Sequence, residues 1–285
     1  MLDLILEFAR ADERIRAVIL NGSRVNPDAP KDIFQDYDII FTVTAMDEFI
    51  RDRSWIQHFG ELIIIQTPDE NALFPSDNAS FAFLMLFQDG NRIDLTLYPT
   101  AQPDSFQPES LSLVLLDKDN LLQSLPAPSN RDYRTLPPTA AQFVSCCNEF
   151  WWVSTYVAKG LWRRELPYAR FMIEGPVRDM LALMLKWYIG VQSGFSADAG
   201  KLGKYFEKHL PLGLWEAYAK TFADAEYDNI WRALFAMGDL FRKTATQVAQ
   251  QFDYEYPSDD DERVTAYLRH VRDLPYDAGE VYPSS

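Results

Sequence analysis

Leu20-Asn21-Gly22-Ser23, twelve further residues, then Asp36-Tyr37-Asp38-Ile39: this stretch decides how the chain is read. Ala17-Val18-Ile19-Leu20 is a short β-branched run, and Asn21-Gly22 is a turn signal, so a strand delivers the chain to a Gly-Ser turn. Glycine permits close backbone approach, and the N–H groups of such a turn can cradle a phosphate. Residues 24–35 hold Asn26-Pro27-Asp28 and Pro30 and read as a loop. Asp36 to Thr44 then reads as a strand. Asp36 and Asp38 stand two apart on it, so their carboxylates share a face. Adjacent carboxylates repel unless a cation sits between them, and hard oxygen donors of this kind suit Mg²⁺.

A third acid follows in Arg92-Ile93-Asp94-Leu95-Thr96-Leu97, where Asp94 alternates with aliphatic residues. Residues 79–88 and 92–98 flank Asp89-Gly90, a dipeptide favoured in hairpin turns. Alone, Asp94 reads as an acid on a solvated outer face. Beside the Gly-Ser turn and the Asp-x-Asp pair, it completes three strand carboxylates converging on one edge, the arrangement used in two-metal phosphoryl chemistry. Asp36, Asp38 and Asp94 are therefore the candidate catalytic and metal-ligating residues, with Asp94 either a ligand or the general base. Gly22, Ser23 and Arg24 are candidates for contacts to phosphate groups; the plain alternative for Arg24, as for Lys31 in the same loop, is a solvated loop cation.

Outward from this core, Leu2, Ile5, Leu6 and Ala9 recur at helical spacing, which predicts an amphipathic helix over 2–14. Residues 45–53 read as a second helix and Leu62–Gln66 as a buried strand. Residues 99–138 hold seven of the 17 prolines and read as an ordered connector, which sets a domain boundary near 135. Beyond it the pattern is helical. Thr139 is an N-cap candidate for a helix running to about Lys159. Further helices are expected at about 166–192, 201–208, 211–222, 227–251 and 260–272. The chain is thus α+β: an N-terminal sheet domain with flanking helices (1–135), then an all-helical domain (136–285) ending in a loose acidic tail. The Asp259-Asp260-Asp261-Glu262 run reads as a solvated helix N-terminus, where acids complement the dipole.

Composition narrows the function. The 285 residues carry 27 Lys plus Arg against 42 Asp plus Glu, a formal charge of −15. That sign disfavours gripping nucleic-acid backbones and favours a cationic ligand, with solubility as the plain alternative. Cys146 and Cys147 are adjacent and, with three scattered His, form no zinc spacing; they read as reduced thiols of a cytoplasmic protein. No apolar run approaches the ~20 residues a bilayer requires.

The Gly-Ser, loop, Asp-x-Asp and later-acid pattern resembles the nucleotidyltransferase superfamily. Gly22-Ser23-Arg24-Val25-Asn26-Pro27, Pro30-Lys31-Asp32, Phe34-Gln35-Asp36-Tyr37-Asp38-Ile39 and Asn91–Leu97 resemble the aminoglycoside 6-adenylyltransferase (streptomycin adenylyltransferase) family. So do Cys147-Asn148-Glu149-Phe150-Trp151-Trp152, Tyr156–Leu161, Lys186-Trp187, Gly194-Phe195-Ser196 and Asp253-Tyr254-Glu255-Tyr256-Pro257, so that the resemblance spans roughly residues 1–272. It implies a nucleotidyltransferase-type mixed sheet followed by a helical substrate-binding domain, with ATP·Mg²⁺ in the cleft between them. The implied reaction is transfer of AMP from ATP to the 6-hydroxyl of streptomycin, with release of pyrophosphate and antibiotic resistance as the consequence. A monomer with a small-molecule partner is expected. Trp152 and Arg163-Arg164 stand where variation in the family is expected and bear on the choice of acceptor. The alternatives are an adenylyltransferase acting on a protein or another small molecule, and a catalytically idle module that senses a nucleotide.

In the helical half, Glu149, Trp151 and Trp152 are the candidates for holding the acceptor, because carboxylates pair with ammonium groups and aromatic faces attract cations. Trp is otherwise a core residue. Lys159 and Lys186 are candidate contacts to the nucleotide.

Overall fold

The apolar stripe of Leu2, Ile5, Leu6 and Ala9 forms α1 (Leu2–Ala11), with Ile5 and Ala9 buried. The sheet that this helix covers contains six strands: β1 (Ile15–Asn21), β2 (Tyr37–Val43), β3 (Leu62–Gln66), β4 (Phe81–Phe87), β5 (Arg92–Pro99) and β6 (Ser112–Asp117), with α2 (Met46–Arg51) after β2. This computed structural model describes residues 1–75, 79–101, 108–120, 122 and 125–283; Pro103 of the proline-rich stretch and the last two tail residues lie outside them. The chain divides into two compact units, Met1–Asp132 and Tyr133–Ser285.

In the first unit the strand order is β3-β4-β5-β2-β1-β6. Only β2 and β5 pair in parallel, so the sheet is mixed. Odd-numbered residues of β2 and β5, such as Ile39, Phe41, Ile93 and Leu95, point to the face covered by α1 and by the aromatic group Phe8, Phe49, Trp55 and Phe59. Even-numbered ones point to the other face, where Ala17, Ile19 and Ile40 pack with Tyr98 and Val114. This alternation follows from the two-residue period of a strand. It puts Asp38 and Asp94 on the more thinly covered face.

Two expectations are corrected here. The proline-rich connector contains β6, which pairs antiparallel with β1. Its run Leu113-Val114-Leu115-Leu116 falls between Pro108 and Pro126, so the prolines bracket the strand without interrupting its hydrogen bonds. The Leu62–Gln66 strand is present but not buried. It pairs only with β4 at the sheet edge, and Ile64 is 63% exposed.

The second unit begins at α3 (Ala140–Trp162), whose N-terminus carries a capping box between Thr139 and Gln142. The stretch expected as one helix over 166–192 comprises α4 (Leu166–Met172), a π-helical turn at Ile173–Val177 containing Pro176, and α5 (Arg178–Ser193). Then come α6 (Phe206–His209), α7 (Leu212–Ala219), α8 (Tyr227–Phe252) and α9 (Ser258–Asp273). Phe150 of α3 stacks on Phe241 of α8 with ring centroids 3.9 Å apart. Cys146 and Cys147 are buried free thiols beside them. Among the described residues no helix is long and apolar enough to cross a membrane.

The acidic run at 259–262 departs from the solvated reading at one position. Asp261 is 2% exposed and accepts from Arg242 Nε at 2.5 Å and Arg242 Nη2 at 2.6 Å, from the Tyr256 hydroxyl and from Thr265. It anchors α9 to α8, which a run of four like charges does not announce. The tail after α9 is also tied down: Arg164 donates to the Tyr276 hydroxyl, and His270 stacks on Tyr282.

Asp261 is buried while the Arg242 side chain is 37% exposed, so loss of this carboxylate removes charge-assisted hydrogen bonds of about 1.5–3 kcal/mol without stranding a buried cation. Asp261→Ala should therefore lower the thermal midpoint by several degrees. Asp239→Ala, which removes an exposed partner of the same Arg242, should change stability by less than about 1 kcal/mol. Calorimetry on both variants checks this; equal effects would contradict the anchoring role of Asp261.

Candidate active site

β1 ends at Asn21, and Gly22 opens a single 3₁₀ turn over Gly22–Arg24 with φ +75°. A β-carbon at position 22 would collide with Asp38 Oδ2, so the site needs glycine for both its backbone angle and its missing side chain. The Gly22 N–H donates to the Leu111 carbonyl at 3.1 Å, fastening the turn to the start of β6.

The loop from this turn to β2 is strapped at its base. Arg24 Nε donates to the Asp36 carbonyl at 2.8 Å, and its Nη2 donates to the Gln35 carbonyl at 2.6 Å. The guanidinium lies 3.6 Å over the Tyr37 ring, and Gln35 Nε2 donates back to the Ser23 carbonyl. Arg24 thus spends its bonds on the loop backbone, holding Asp36 in place, where sequence pointed to a phosphate contact. Lys31 is exposed.

Parallel pairing sets Asp38 of β2 directly beside Asp94 of β5. Asp36, one residue before β2, joins them: one carboxylate oxygen from each of the three lies within 4.8 Å of the others, and all three residues are half-buried. Burial, and after it the charges of Asp36 and Asp94, push the Asp38 carboxyl up to about 6. Among the described residues the one close countercharge is Arg92. Its Nε and Nη2 donate to the two oxygens of Asp94 at 2.7 and 2.6 Å, and its Nε lies 4.0 Å from Asp36. Oxygen donors gathered at this spacing, with an excess of negative charge, fit Mg²⁺. The adjoining Gly-Ser turn suits the phosphates of a nucleotide.

Arg92, Gln35 and Tyr37 also shape the site. Arg92 was recoverable, since it stands two residues before Asp94 on the same strand and so shares its face. The straps made by Gln35 and Tyr37 depend on loop closure and left no periodic signal.

The second unit separates its candidates. Glu149 is exposed and, with Lys186, Met180 and Trp187, lines a cavity of about 840 Å³. Trp152, three residues on, is 58% exposed, and its indole N–H donates to Tyr156. Trp151 is corrected to a core residue. It is 2% exposed, packs edge-on to Phe150 and Phe241, and donates its indole N–H to the Tyr256 hydroxyl. Residues two apart on a helix face different ways, so it cannot share a surface with Glu149. Lys159 is half-buried, with Nζ 4.9 Å from the Tyr156 ring centroid.

The profile of the streptomycin adenylyltransferase family matches residues 1–271. An aminoglycoside 6-adenylyltransferase of Campylobacter jejuni is 42% identical over 267 residues, covering 93% of this chain and 92% of the relative. One from Bacillus subtilis (strain 168) is 41% identical over 274 residues, covering 95% and 96%. A crystal structure of an aminoglycoside 6-adenyltransferase from Bacillus subtilis covers 96% of this chain and 98% of its own, at 38% identity and a TM-score of 0.49.

The raised Asp38 value has a signed consequence. A carboxyl whose folded value exceeds its unfolded one stabilises the fold while protonated, and that stability is lost as pH rises from about 4 through about 6. The loss is at most about 3 kcal/mol. In chelator, the stability of Asp38→Asn relative to the natural protein should rise across this window and level off near pH 7. A difference that stays flat from pH 4 to 7 would contradict the repulsive cluster.

Proposed function

The chain belongs to the streptomycin adenylyltransferase family, a nucleotidyltransferase family, and from that premise we propose that it transfers AMP from ATP to a hydroxyl of an aminoglycoside. The observation that carries this reading is the three-carboxylate cluster of Asp36, Asp38 and Asp94 beside the Gly22-Ser23 turn. Streptomycin is the proposed acceptor and its 6-hydroxyl the proposed position, with pyrophosphate as the second product and antibiotic resistance as the consequence.

The Ser23 N–H and hydroxyl, presented by the Gly22 turn, receive the phosphates, since the Gly22 N–H is taken by the Leu111 carbonyl, and Asp36, Asp38 and Asp94 would hold Mg²⁺. A divalent cation held there would neutralise charge on the triphosphate and make the attacking hydroxyl more acidic. The acceptor oxygen forms a bond to the α-phosphorus as the bond to the bridging oxygen breaks, and pyrophosphate departs. The hydroxyl proton passes to a carboxylate of the cluster. Both Asp94 oxygens accept from Arg92, so Asp94 serves as a proton acceptor only after that fork opens; a freed Arg92 then faces the charge of the phosphates. Most of the rate comes from positioning and charge neutralisation.

A polycationic amino sugar suits a chain of charge −15. Glu149 is the proposed carboxylate for one of its ammonium groups. It is exposed, it lines the cavity on α3 and α5, and Trp152 stands one helical turn away.

Incubation with ATP, Mg²⁺ and a panel of aminoglycosides, with pyrophosphate as the readout, tests the reading. Streptomycin should give turnover and a product carrying AMP on its 6-hydroxyl by NMR. Pyrophosphate release no faster than that of Asp38→Asn with every aminoglycoside would overturn it. Glu149→Gln removes a charge-assisted hydrogen bond of about 1.5–3 kcal/mol, so the aminoglycoside KM should rise roughly ten- to a hundred-fold while the ATP KM holds. An unchanged aminoglycoside KM would remove Glu149 from the acceptor site.

A further inference from the structure

Four polar residues stand in one row across the sheet. Ser112 of β6 pairs with Asn21 of β1, Asn21 with Asp38 of β2, and Asp38 with Asp94 of β5. Directly paired residues project to the same face, with β-carbons about 4.5–5.5 Å apart in antiparallel pairs. The next row inward on that face is Val114, Ile19, Ile40 and Thr96, mostly aliphatic. Asn21 and Ser112 thus extend the row of the carboxylates across β1 and β6, with a mostly aliphatic row behind them.

Two atoms of this row are unsatisfied. Ser112 is 2% exposed, and its Oγ is buried without a hydrogen-bond partner among the described residues. Asn21 Oδ1 is in the same state. A buried unpaired oxygen costs stability, and an aliphatic residue at either position would avoid that cost. The two orphans are nevertheless complementary and adjacent. The serine hydroxyl is a donor and the amide oxygen an acceptor. A bond between the two would satisfy both and leave the Asn21 amide N–H₂ for its other cross-strand neighbour, Asp38.

We propose that Asn21 and Ser112 are positioning residues for Asp38: in the loaded site Ser112 Oγ–H donates to Asn21 Oδ1, and Asn21 Nδ2–H donates to the Asp38 carboxylate, fixing the oxygen that Asp38 offers to the cation. This rests on Asp38 being a metal ligand, as in the proposed function. Groups that orient a ligand through a hydrogen bond typically contribute ten- to a hundred-fold in metal affinity or activity.

The test measures Mn²⁺ binding in the presence of ATP by calorimetry, alongside the thermal midpoint in chelator. Ser112→Ala removes one oxygen atom and should weaken Mn²⁺ binding about ten-fold while the metal-free midpoint holds or rises, since an orphan has been deleted. Asn21→Ala should weaken binding at least as much. The double variant should lose no more than Asn21→Ala alone, because the serine acts only through the amide. Mn²⁺ affinity in Ser112→Ala equal to that of the natural protein would overturn the relay and leave the proposed function standing. So would losses that add in the double variant. A natural protein that binds no Mn²⁺ with ATP would overturn both. A midpoint lowered by several degrees in Ser112→Ala with unchanged Mn²⁺ affinity would assign the serine a structural role and overturn the proposal.

Discussion

The parallel pairing of β2 with β5 forces Asp38 against Asp94, and most of the site answers that like-charge contact. Asp36 adds a third carboxylate within 4.8 Å. A sheet does not relax such a cluster by sliding, because a one-residue slip would send Ile39, Phe41, Ile93 and Leu95 from the core face to the other. The hydrophobic register therefore holds the carboxylates together against their repulsion. Arg92 supplies one opposing charge, while burial, and after it the charges of Asp36 and Asp94, push the Asp38 carboxyl up to about 6. What the fold leaves uncompensated is a demand for a cation.

The turn beside the cluster is shaped by the same contact. Asp38 Oδ2 occupies the space in which a β-carbon of residue 22 would stand. The backbone of the Gly-Ser turn can therefore come against the carboxylates, which brings the turn and the three carboxylates to one place. Arg24 and Gln35 close the base of the intervening loop, so that Asp36 reaches the cluster from outside the strand. In the helical unit a different charge pair, Arg242 with buried Asp261, joins α8 to α9.

Much of this was legible from sequence, for physical reasons. Asp38 and Asp94 lie on strands whose alternation is strict, and a period of two fixes the face of each carboxylate; Asp36 stands one residue before β2, in step with Asp38. The hairpin at Asp89-Gly90 and the Thr139 cap are local motifs and needed no tertiary information. What escaped depends on contacts distant in sequence. β6 is apolar for only four residues and lies among prolines, so its role as the partner of β1 emerges only in the folded sheet. The apolar run of β3 looks like a central strand, yet its position at the edge is set by topology. Trp151 and Trp152 are neighbours in sequence and opposite in fate, since one helical step of 100° separates core from solvent. Asp261 is indistinguishable from its acidic neighbours until Arg242 is brought to it.

The most direct measurement is anomalous diffraction from crystals soaked in Mn²⁺ with a non-hydrolysable ATP analogue. The demand of the cluster for a cation predicts peaks bounded by Asp36, Asp38 and Asp94, with the triphosphate against the Gly22-Ser23 turn. A nucleotide bound elsewhere, with no peak at the three carboxylates and the Arg92–Asp94 fork unchanged, would contradict it.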